Sequence, residues 1–114
     1  MSTNLIILGA GGRMGSTLIR LASSSEDLSV VAIVEPKAEF VPHTPKPCFV
    51  AQSLKDCIEK FPQAVVIDFT SKTSTIEHAA LAAKYKNPLI IGTTGLSNEE
   101  KEKIAECAKE TPIV

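Results

Sequence analysis

A chain of 114 residues amounts to one domain, or to part of a larger protein. Its hydrophobic content of 44% supports a packed core, and a net charge of −1 with dispersed basic residues offers no electrostatic footing for nucleic acid or a membrane surface. No apolar run approaches the roughly 20 residues that cross a bilayer. The opening Met1-Ser2-Thr3-Asn4 carries no basic or Arg-rich leader, so no signal or transit peptide is expected. Cys48, Cys57 and Cys107 show no metal-ligand spacing and predict reduced thiols in a cytoplasmic protein. No metal site is expected. His43 falls in a proline-rich loop and His78 on a helix, neither near a Ser, Cys or acid arrangement that suggests catalysis.

The chain is organised around Leu5 to Gly15. Leu5-Ile6-Ile7-Leu8 reads as a buried strand, Gly9-Ala10-Gly11-Gly12 as a turn, and Met14 to Ala22 as an amphipathic helix. A strand–turn–helix of this kind aims unpaired amides and the positive end of a helix dipole at one point, which suits a phosphate. Glycines keep that approach open and let the helix lie close to the strand. Gly9 and Gly11 fit the first two places of G-x-G-x-x-G, but Met14 takes the third. Gly9, Gly12 and Gly15 fit G-x-x-G-x-x-G instead.

Leu28 to Val34 is a second strand, ended by Glu35-Pro36. An acid at this place accepts the adenosine ribose hydroxyls and repels a 2′-phosphate, so Glu35 favours NAD(H); Lys37, two residues on, leaves NADP(H) open. Residues 36 to 47 form an extended proline-rich loop. Cys48 to Val50 is a short strand. Ser53 to Phe61 reads as a helix with Leu54, Cys57, Ile58 and Phe61 on one face. Ala64 to Thr70 is a central strand, apolar on both faces, and Phe69 and Thr70 at its carboxyl end are candidates to line a ligand groove. Ser74 to Glu77 reads as a capping box opening a helix to Tyr85. Leu89 to Ile91 is a fifth strand, followed by Gly92-Thr93-Thr94-Gly95, a loop of exposed amides and hydroxyls suited to a flat amide such as nicotinamide. Ser97 to Glu100 is another capping box. The helix after it, to about Glu110, turns Ile104, Ala105 and Ala108 inward, and Thr111 to Val114 begins a sixth strand.

Strands and helices alternate without hairpin signals or repeats. This predicts an α/β fold, a Rossmann-type doubly wound parallel sheet in the order 3-2-1-4-5-6. The glycine turn, Glu35, Phe69-Thr70 and Gly92 to Gly95 then share one edge, and a dinucleotide site is expected there.

Three segments together, Gly9-Ala10-Gly11-Gly12-Arg13-Met14-Gly15, Val66-Ile67-Asp68-Phe69-Thr70 and Ile91-Gly92-Thr93-Thr94-Gly95-Leu96-Ser97, resemble bacterial dihydrodipicolinate reductase in order and spacing across the whole chain. The resemblance implies an NAD(P)H-dependent reductase making tetrahydrodipicolinate on the diaminopimelate route to lysine. It places Gly9, Ala10, Gly11, Gly12, Arg13 and Met14 around the pyrophosphate, with Arg13 near the phosphates or adenine side. Gly15 would serve helix packing and Glu35 would hold the ribose. Phe69 and Thr70 would flank the groove, and Gly92, Thr93 and Thr94 would meet the nicotinamide end. Ser71-Lys72 stands where the family often has Arg-Pro, and Pro36 where a basic residue often follows the acid. The family's hinge and substrate-domain motifs are missing from residues 1 to 114. The chain is therefore expected to be the NAD(P)-binding domain alone, inactive by itself, with no catalytic residue. A dicarboxylate substrate and a homotetramer would depend on the remainder. Two other readings are a homoserine or aspartate dehydrogenase cofactor domain, against which the G-T-T-G loop argues, and a stand-alone nucleotide sensor.

Overall fold

The computed structural model describes residues 3–44, 47–93 and 95–114. Five strands, β1 (Thr3–Leu8), β2 (Leu28–Val34), β3 (Phe49–Ala51), β4 (Val65–Asp68) and β5 (Leu89–Ile91), pair in parallel in the order β3-β2-β1-β4-β5. The expected sixth strand is rudimentary. Ile113 makes one parallel bridge to Leu89, while Leu89 N–H donates to the Pro112 carbonyl at 2.9 Å and Val114 N–H to that of Leu89 at 3.0 Å. The predicted order therefore holds from edge to edge.

Three helices connect the strands: α1 (Arg13–Ser23), α2 (Lys72–Tyr85) and α3 (Asn98–Cys107). Because successive strand residues face opposite ways, β1 serves two cores. Ile6 and Leu8 join Ala32, Val34, Val66 and Leu89 beneath α2. Leu5 and Ile7 face α1 through Ala22 and Ile19. Ile6, Ile7, Leu8 and Ile33 are all wholly buried, and each such side chain stabilises the fold by about 1.5–3 kcal/mol.

The predicted helix over Ser53 to Phe61 is instead a pair of 3₁₀ turns, Leu54–Asp56 and Ile58–Lys60. Between them Cys57 leaves helical geometry (φ −127°, ψ −20°), and the Ser53 side chain caps nothing. The segment, closed by Pro62, takes the 3₁₀ form common in short connectors. Leu54, Cys57 and Ile58 are nevertheless buried as expected; Leu54 and Cys57, three residues apart, share a 3₁₀ face. Burial, then the neighbouring Asp56 charge, push the Cys57 thiol up to about 11, so it is a packing residue.

Helix α2 begins one turn earlier than the expected capping box. Ser71 is its N-cap and accepts the Ser74 N–H, which leaves Ser74 inside the first turn. At α3 the Ser97–Glu100 capping box forms as predicted. The expected inward face does not: Ala105 and Ala108 are exposed, and Ile104 and Cys107 pack against the core. This helix lies on α2 rather than on the sheet, so it needs only a narrow apolar stripe.

Candidate functional site

The strand-end edge of the sheet is built from the turn after β1. Gly9 has φ +74°, and a Cβ there would lie 3.0 Å from the Phe69 carbonyl oxygen, so glycine is required by backbone and space alike. Gly9 and Ala10 both donate their N–H to the Val34 carbonyl, at 3.2 and 3.3 Å, which pins the turn against β2. Gly12 is the N-cap of α1 and provides no side-chain cap. The first amide to enter the helical ladder is that of Ser16, bonded to the Gly12 carbonyl at 3.0 Å. The Arg13, Met14 and Gly15 amides precede it at the positive end of the helix dipole. Gly15 is buried, and a Cβ there would collide with the Gly9 carbonyl oxygen, so this glycine lets α1 sit on the turn.

Gly12 differs. Its φ is −81°, and the nearest atom to a built Cβ is the Gly9 oxygen at 3.4 Å. Neither backbone nor packing asks for glycine here, and a side chain would stand in a groove of about 520 Å³. Gly9, Gly12, Arg13 and Met14 form one wall of that groove. Phe69, Thr70, Gly92 and Thr93 form the other. The Phe69 ring lies against Gly92, where any Cβ would strike it. Gly92 N–H donates to the Asp68 carbonyl at 2.8 Å, and the Thr93 hydroxyl is 2.8 Å from that of the buried Thr75 on α2. Gly15, Ser71 and Lys72 also line the groove. Sequence reading left the last two out because Lys72 is set at the groove only by the early start of α2.

Three predicted residues stand elsewhere. Ala10 is wholly buried in the core against Ile7 and Ile19. Gly11 and Glu35 lie outside the groove lining but bind each other, Gly11 N–H donating to Glu35 Oε1 at 3.0 Å. A Cβ at Gly11 would collide with that carboxylate and with the Phe40 carbonyl. Glu35 Oε2 accepts the Lys37 N–H at 3.1 Å, and Lys37 Nζ stands 5.5 Å from the Phe40 ring centroid. Thr94 lies outside the described residues.

Below the groove is a cluster that the sequence reading missed. Asp68, the last residue of β4, is wholly buried. Its Oδ1 accepts the Thr70 N–H at 2.8 Å and the Thr70 hydroxyl at 2.5 Å. Its Oδ2 lies 2.8 Å from Nδ1 of His78 on α2. Burial alone would raise the Asp68 carboxyl, but the bonds from His78 and Thr70 outweigh it and hold it below its ordinary value. An ionised carboxylate only accepts, so the proton of this contact sits on Nδ1. The expectation that His78 has no acid beside it is corrected here. The available signal was an acid closing an otherwise apolar strand, which must find partners when buried.

Among the described residues, no group of three or more His, Cys, Asp or Glu side chains is placed to hold a metal ion. No described helix is long and apolar enough to cross a membrane.

The family model described as "Dihydrodipicolinate reductase, N-terminus" matches residues 3–114. The 4-hydroxy-tetrahydrodipicolinate reductases of Oleidesulfovibrio alaskensis and Desulfovibrio desulfuricans are 35% and 37% identical to this chain over 113 residues. Each alignment covers 99% of this chain and 44% of the relative, so the chain spans less than half the length of those proteins. A solved structure, the dipicolinate-bound dihydrodipicolinate reductase from Paenisporosarcina sp. TG-14, shares the fold with a TM-score of 0.79 at 24% identity, over 95% of this chain and 43% of that one. With a match running through the glycine turn, the D-F-T strand end and the loop after β5, the chain belongs to the dihydrodipicolinate reductase family and corresponds to its N-terminal part.

Proposed function

We propose that residues 3–114 are the nicotinamide-dinucleotide-binding part of a 4-hydroxy-tetrahydrodipicolinate reductase. The whole protein would be a cytoplasmic homotetramer on the diaminopimelate route to lysine. The observation that carries the reading is Gly12, a glycine that the fold does not need, facing an open groove at the head of α1. A pyrophosphate fits there. The first-turn amides donate to it, the dipole favours its charge, and Arg13 stands beside it on the groove wall. Phe69 and Gly92 offer a flat apolar surface for the nicotinamide end, with Thr93 adjoining.

The bound cofactor supplies the hydride. This chain's residues hold and orient it. The proton donor and the clamp for the dicarboxylate substrate belong to the remainder of the protein. Reduction needs both reactants in near-attack geometry, so residues 3–114 alone give no turnover.

Glu35 sets the cofactor preference in this reading. Its two oxygens are steadied by the Gly11 and Lys37 amides and keep lone pairs for ribose hydroxyls, and its charge opposes a 2′-phosphate. NADH is therefore favoured over NADPH. Glu35→Ala should weaken NADH binding about tenfold to a hundredfold, the worth of hydrogen bonds to a charged acceptor, and NADPH binding less. Equal losses for the two cofactors would remove Glu35 from the ribose site.

A further inference from the structure

We infer that Asp68 and His78 are positioning residues that act through Thr70 to set the groove wall opposite the glycine turn. The inference rests on the cofactor reading of that groove. Neither Asp68 nor His78 lines the groove, whereas Thr70 does. The buried carboxylate spends Oδ1 on Thr70 twice, through backbone and hydroxyl, and Oδ2 on the imidazole. A carboxylate without exposure is costly unless such donors converge on it. The hydroxyl hydrogen of Thr70 is thereby directed inward. Its Cγ2 stands 3.5 Å from the place a Cβ of Gly9 would take, so the methyl group faces the turn. Rotation of Thr70 would break the bond to Asp68 and present a hydroxyl where the groove now has a methyl.

His78 supplies the other half of the restraint. It belongs to α2, the helix that also reaches the opposite end of this wall through Thr75 and Thr93. The helix thus fixes both Thr70 and Thr93. On its other side His78 borders a shallow surface groove with Lys55 and Glu77. Asp68 is in contact with the ring, and Lys55 and Glu77 are the charged residues that share this surface groove with it. The imidazole side chain is only 12% exposed, and among the described residues its donated hydrogen bond is the tie between α2 and the Asp68 carboxylate.

A double-mutant cycle on NADH affinity tests this, with hydrogen exchange of the ligand-free chain alongside. His78→Ala should weaken NADH binding about three- to tenfold, the net size of one hydrogen bond. His78→Asn, whose amide donates from near the Nδ1 position, should recover most of that loss. Thr70→Val should weaken binding by itself, and His78→Ala added to it should cost clearly less than it does in the unmodified chain, because both act through the one Asp68 carboxylate. In the ligand-free chain, His78→Ala should speed exchange of the Thr70 amide and leave the Ile67 amide in β4 protected. Additive losses, or Thr70 and Ile67 amides accelerating together, would overturn the inference and make the pair a matter of overall stability. If the chain does not bind NADH at all, the cofactor reading fails, and the selective exchange of Thr70 still decides whether the pair positions it.

Discussion

Gly12 and Gly15 differ in what a methyl group would meet. At Gly15 it would strike the Gly9 carbonyl oxygen; at Gly12 it would have that oxygen 3.4 Å away and open groove beyond. Gly15→Ala should therefore destabilise the fold by about 1–3 kcal/mol through overpacking. Gly12→Ala should change stability by under about 1 kcal/mol but lower NADH affinity. Thermal melts beside NADH titrations separate the two, and matching effects in both assays would contradict the division. The sequence left two glycine spacings open. Geometry distinguishes them: Gly11 is turned to Glu35 and Phe40, Gly12 to the groove. No spacing rule carries that information, because it depends on where the next strand leaves its acid.

At the scale of elements, strand limits were well marked by apolar runs between polar breaks. Leu28–Val34 and Leu89–Ile91 match their predicted spans. Helix starts were less legible. The capping box was expected at Ser74, but the cap is Ser71, where the chain leaves β4 through Thr70, which is held by Asp68. The Asp68–His78 contact joins β4 to α2 across ten residues and belongs to neither element's pattern. It has a consequence for acid stability. The folded Asp68 carboxyl lies below its ordinary 3.8, so the unfolded chain binds the proton more readily. Its stabilisation is complete above that value and is lost as pH falls through the lower folded value. Asp68→Asn should cost about 1–3 kcal/mol near neutral pH, and the gap to the wild-type chain should narrow as the pH falls below the ordinary carboxyl value of 3.8. A gap in melting temperature that stays constant or widens in acid would contradict this.

For the whole molecule, alternation of strand and helix pointed to a parallel sheet with crossovers of one hand, and the glycine turn after the first strand pointed to the dinucleotide-type order among the doubly wound ones. The same rule brings the ends of β1, β4 and β5 to one edge, where residues as far apart in sequence as Gly9 and Thr93 share a groove. The sequence could name the loops that meet there. It could not say that Ala10 would be swallowed by the core, or that Ser71 and Lys72 would join the wall, because both follow from tilt and packing of the helices. We propose that this edge is a preformed dinucleotide site. Calorimetric titration of the chain with NADH and with NADPH, repeated on Gly12→Val, tests it most directly. Saturable binding that favours NADH and disappears in a Gly12→Val chain of unchanged helix content is the predicted result. No binding by the folded chain, or equal affinity in Gly12→Val, would contradict it.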